Sequence, residues 1–88
     1  MKIWFNKEFF QIEYNGITEW TENVNEVITT ACCSGEDVLE IYYKRVLVAT
    51  IALDDQCKYW EIYWNDGRQD EITFYYQFLS EALKEVLI

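Results

Sequence analysis

Carboxylates, thiols and tyrosines are the residues of this chain with chemistry to offer. Histidine is absent, which removes Ser–His and Cys–His nucleophile pairs, the commonest general base and the usual zinc ligand. The thiols are Cys32, Cys33 and Cys57. Adjacent Cys32 and Cys33 lack the two-residue spacer of a redox motif, and no zinc-type spacing occurs. An odd count argues against a disulfide framework and for reduced thiols in a cytoplasm (the host's, for a phage-encoded protein). Two acidic clusters stand out, Asp54/Asp55 and Asp66/Asp70/Glu71. The second lacks the ligand alternation and closing glutamate of a calcium loop. Both fall where turns are expected, and turns recruit Asp to bond the backbone. Glycine occurs only at 16, 35 and 67, so no glycine-rich phosphate cradle exists. These residues assign no catalytic, cofactor or metal site.

Binding is the stronger signal. Sixteen Asp and Glu against seven Lys and Arg give a formal charge of −9, which repels nucleic acid and anionic membrane alike. The complementary partner is a basic protein surface, such as the site of a nucleic-acid-binding enzyme, approached under electrostatic steering. The chain also carries four Trp, seven Tyr and five Phe. Period two along Lys58 to Trp64 puts Trp60, Ile62 and Trp64 on one strand face, with Tyr59, Glu61 and Tyr63 on the other. Glu40 and Tyr42 share the parity of that second face. Tyrosine is an enriched interface anchor. Tyr42, Glu40, Tyr59, Glu61 and Tyr63, with the loop acids Asp66, Asp70 and Glu71, are the candidate partner-binding residues.

The elements that must position them follow from the pattern. Phe9 to Tyr14 is β-prone, Asn15-Gly16 supplies a type I′ turn, and Ile17 to Trp20 returns. Lys2 to Phe5 is a further short strand. Val24, Val27, Ile28, Ala31 and Cys32 form one helical stripe, which places Cys32 in the core. Asn23 with Glu26 has the form of a capping box, and Gly35 that of a left-handed stop. Val38 to Tyr43 and Val46 to Leu53 read as strands around Lys44-Arg45, which is poor turn chemistry, so one bent strand is the alternative. Cys57 to Trp64 is a strand. Asn65-Asp66-Gly67 is a hairpin signal, with about Asp70 to Phe74 pairing back. Tyr75, Phe78, Leu79, Ala82, Leu83, Val86 and Leu87 line the apolar face of a C-terminal helix.

The expectation is therefore one α+β domain over 1–88, in the order ββαβββ(β)α. It has a small antiparallel sheet of three to five strands, packed on one face by two helices. The longest apolar run, Val46 to Leu53, is too short to span a bilayer. Size and charge together suggest a non-catalytic acidic inhibitor or adaptor. Phage anti-defence proteins of the anti-CRISPR kind, nucleic-acid mimics and toxin-immunity proteins are analogues on those two properties alone. Carboxylates at i and i+2 on a strand lie about 6.6–6.8 Å apart, near the separation of neighbouring phosphates. The alternative is a self-associating structural subunit, at its simplest a homodimer. No cofactor is implied.

Overall fold

The computed structural model describes residues 1–65 and 75–88. In chain order the elements are β1 (Lys2–Phe5), β2 (Phe10–Tyr14), β3 (Ile17–Thr21), α1 (Val24–Ser34), β4 (Val38–Tyr43), β5 (Val46–Leu53), β6 (Trp60–Trp64), β7 (Tyr75–Tyr76) and α2 (Leu79–Leu87). They make an α+β fold with seven strands in the order β3-β2-β1-β4-β5-β6-β7. The sheet is wider than the three to five strands expected, and it is mixed. β1 and β4 run parallel at its centre, and the other neighbouring strands are antiparallel. The chain between β1 and β4 folds the β2–β3 hairpin onto one side of β1 before α1 returns it to the other.

Both helices lie on one face and touch each other, α1 over β2 and β3, α2 over β5, β6 and β7. The buried cluster joins Val27, Ile28 and Ala31 of α1 to Leu79, Ala82 and Leu83 of α2. It also takes Ile3, Ile12, Leu39, Ile41, Ala49, Ile51 and Ile62 from the sheet. Fully burying one such Ile or Leu stabilises by about 1.5–3 kcal/mol relative to exposing it.

Two I′-type turns set the registers with different chemistry. Asn15 and Gly16 have φ of 48° and 75°, as that dipeptide favours. Lys44 and Arg45 have φ of 49° and 70°, so the break is a tight turn despite its residues. Between Ile41 and Tyr42 the β4–β5 register shifts, leaving Val48 unpaired between Leu47 and Ala49.

Several local expectations are corrected. β6 begins at Trp60, because Cys57 sits in the preceding turn at φ 58°. Tyr75 lies in strand β7, and Phe78 is the N-cap of α2 rather than part of its apolar stripe. With its backbone extended, Phe78 is 58% exposed. Cys32 and Cys33 are exposed as well. The stripe on α1 ends at Ala31, and Cys32 lines an open groove between the C-terminal end of α1 and the N-terminal end of α2. Gly35 does stop α1, at φ 76°. Asn23 caps α1 by accepting from the Asn25 N–H. The reciprocal half of the box is relayed, since Asn23 N–H donates to Thr21 Oγ1 and the Thr21 hydroxyl donates to Glu26.

Candidate functional site: the open sheet face

With the helices on one face, no described element covers the other. Register places its side chains in rows across the strands. One row runs Trp20, Gln11, Trp4, Tyr42, Leu47. The next runs Thr18, Glu13, Lys2, Glu40, Thr50, Tyr63. Ala52 and Glu61 are paired in a third. Alternation thus carries Glu40 and Tyr42 on β4 to the same face as Glu61 and Tyr63 on β6, while Leu39, Ile41 and Ile62 point into the core.

The sequence Glu-Ile-Tyr occurs twice, at 40–42 and 61–63, and both copies make the same local bond. The Tyr42 hydroxyl donates to Glu40 Oε2 at 3.1 Å, and the Tyr63 hydroxyl donates to Glu61 Oε2. Burial, then the bond to Glu40 and its charge, push the Tyr42 phenol above its ordinary value. A phenol held protonated remains a donor, so Tyr42 orients the Glu40 carboxylate without bringing an opposite charge to it. β5 separates the two copies and places the small side chains of Thr50 and Ala52 between them. Since β5 is antiparallel to both neighbours, β4 and β6 run the same way about 9.6 Å apart. The register offsets the copies by two residues, which puts the Glu40 and Glu61 Cα atoms roughly 12 Å apart.

A third carboxylate, Glu13, is held by other donors. Trp4 Nε1 donates to its Oε2 at 3.2 Å, and Gln11 Nε2 to its Oε1 at 3.4 Å. Trp4 also stacks on Tyr42, with centroids 4.1 Å apart and planes 15° from parallel. Lys2 stands between Glu13 and Glu40 in register.

Tyr59, ahead of β6, lines an open groove of about 590 Å³ with Glu61, Tyr63, Asp54 and Asp55. Tyr59 and Tyr63 are both nearly half exposed. Asp54 is committed to its own loop, where its Oδ1 accepts from the N–H groups of Lys58 and Tyr59. The Tyr59 N–H is the main cause that holds its carboxyl below the ordinary range. Of the eight candidate residues, Asp66, Asp70 and Glu71 lie outside the described residues. The other five share this face or its end. The face also includes Trp4, Gln11, Glu13 and Trp20, which the alternation of β1 to β3 could have flagged.

Among the described residues, no three His, Cys, Asp or Glu side chains converge on a metal-sized site, and no helix is long and apolar enough to cross a membrane. Comparison with protein families, with curated proteins and with solved structures finds no match to this chain.

Proposed function

We propose that the protein is a non-catalytic binding module that docks its Glu–Tyr sheet face onto a basic site of a partner protein, as a small inhibitor or adaptor does. The observation that carries this reading is the pair of Tyr-to-Glu hydrogen bonds on the strands either side of Thr50 and Ala52. A phenol orients a carboxylate through a hydrogen bond without bringing the opposite charge that a Lys or Arg partner would. Holding it on a rigid strand reduces the ordering cost on binding. Tyr42, with one ring face on Trp4, and the nearly half-exposed Tyr63 add aromatic area beside the carboxylates.

The carboxylate spacing refines the partner. At roughly 12 Å between Cα atoms, Glu40 and Glu61 are well beyond the i,i+2 strand distance of about 6.6–6.8 Å that suggests phosphate imitation. Discrete basic side chains, two strand-widths apart, suit the face better than a groove that tracks a phosphate chain.

The test is affinity capture from cell lysate at low and high salt, comparing wild type with the Glu40→Gln/Glu61→Gln double variant. A partner held by wild type, released by salt and missed by the double variant supports the reading. Capture indifferent to both changes ends it. A dimer seen by light scattering, lost in Tyr63→Ala, would assign the face to self-association instead.

A further inference from the structure

The open face ends, on the β1–β3 side, in a groove of opposite character. Trp4, Phe9, Gln11 and Trp20 line it, with Lys44 and Arg45 at its rim, and it encloses about 340 Å³, within the range of small-molecule sites. The register Trp4–Gln11–Trp20 puts an amide on the floor between two indoles. Trp4 is fixed by Tyr42 on one ring face and by its Nε1 bond to Glu13. Trp20 meets the Phe9 ring at 5.1 Å, yet it remains 61% exposed. Gln11 gives one N–H to Glu13, which leaves its carbonyl oxygen and second N–H for the edge of a ligand.

The rim is the unusual part. Lys44 and Arg45 both occupy the left-handed region, where a Cβ meets steric resistance and Asn-Gly is the favoured pair. The same chain uses Asn15-Gly16 at its other I′-type turn. Strain retained at one turn and avoided at the other points to a use for the side chains. Both side chains line the groove, Lys44 with its ammonium 5.4 Å from the Tyr43 ring centroid, and they place two adjacent cations on a protein of net charge −9.

We propose that this groove binds a planar aromatic anion, a nucleoside monophosphate by class. The base lies on Trp20 and over the Gln11 amide, and the phosphate meets Lys44 and Arg45. Stacking on an indole needs only a π face, and a guanidinium matches a phosphate in shape and charge.

The groove carries its own reporter in Trp4 and Trp20. Adenosine 5′-monophosphate should quench tryptophan fluorescence saturably, with adenosine and inorganic phosphate each binding at least tenfold more weakly. Trp20→Ala should weaken binding at least tenfold. The decisive variant is Lys44→Asn/Arg45→Gly, which makes the turn resemble Asn15-Gly16. It should melt at a higher temperature than wild type and yet bind the nucleotide at least tenfold more weakly. Circular dichroism confirms that each variant folds. Equal affinity for adenosine and its monophosphate, or undiminished binding by the double variant, would overturn the proposal. So would the absence of any saturable change. N-acetyltyrosine competing as well as the nucleotide would overturn the nucleotide assignment in favour of a peptide carboxylate.

Discussion

Trp4 lies flat on Tyr42 across the parallel β1–β4 pair, and each ring is also tied to a carboxylate of the same face, Trp4 to Glu13 and Tyr42 to Glu40. Stacking and hydrogen bonding therefore fix the centre of the open sheet, although only one of its faces meets the helices. A double-mutant cycle of Trp4→Leu with Tyr42→Leu, followed by urea denaturation, should give a coupling energy of about 1 kcal/mol. Additive effects would show that the two rings merely sit side by side.

The N-terminal end of α2 is the cheapest place to stabilise the fold. Phe78 occupies the N-cap without a side-chain acceptor and is largely exposed, so the first N–H groups of the helix lack a cap there. Phe78→Ser should raise stability by about 0.5–1 kcal/mol. Leu83→Ala, at a fully buried position, should cost about 2–5 kcal/mol. Chemical denaturation of both variants checks the assignment, and a large loss in Phe78→Ser would return that ring to the core.

All three cysteines are exposed, so the native protein should yield three titratable thiols and no disulfide. Partial burial, and then the neighbouring Cys33, push the Cys32 thiol upward. Less of it is thiolate near neutrality, so Cys32 should alkylate more slowly than Cys57. Its rate should keep climbing as pH rises. Peptide mapping after timed iodoacetamide exposure reads this directly. A Cys32 that alkylates first would contradict it.

Asp54 makes the β5–β6 loop sensitive to acid. Its folded value is lowered, chiefly by the N–H of Tyr59, so its stabilisation is fully present above the ordinary carboxylate value of about 3.9. It is lost as pH falls through the lower folded value. Asp54→Asn should therefore be less stable than wild type above about pH 5, and the gap should close as the solution is acidified. Urea midpoints across that range decide it. A gap independent of pH would assign the loss to geometry alone.

Legibility in the sequence divides by the kind of pattern. Glu-Ile-Tyr in β4 and β6 alternates strictly, and side-chain period in a strand is fixed by backbone geometry, so its faces can be read without knowing any partner strand. Asn15-Gly16 and Gly35 carry their positive φ in their identity. Phe78 and Cys32 are different. Each continues a helical stripe, but a stripe says nothing about where the helix begins or where its partner stops covering it. The parallel β1–β4 pair is equally silent, since it joins residues about 38 apart in sequence. Lys44-Arg45 is misleading for the opposite reason, because its turn is formed against local preference.

Charge and shape on the Glu–Tyr face should separate kinetically. Glu40→Gln/Glu61→Gln removes two charges and leaves the surface shape nearly unchanged. It should slow association with the captured partner by roughly tenfold at low salt, with little change in dissociation. Raised salt should shrink the difference, because screening already weakens the steering of wild type. Tyr63→Ala should act the other way, speeding dissociation by roughly tenfold, since a desolvated aromatic contact is lost. Tyr63→Phe tells the ring from the hydroxyl. It keeps the flat surface but releases Glu61 from its hydrogen bond. If orientation of the carboxylate matters, Tyr63→Phe should fall between wild type and Tyr63→Ala in dissociation rate and leave association unchanged. Surface-plasmon kinetics at two salt concentrations resolve all three variants. A Tyr63→Phe protein as tight as wild type would reduce the tyrosine to its ring, and on-rates indifferent to both carboxylates would remove the electrostatic basis of the docking.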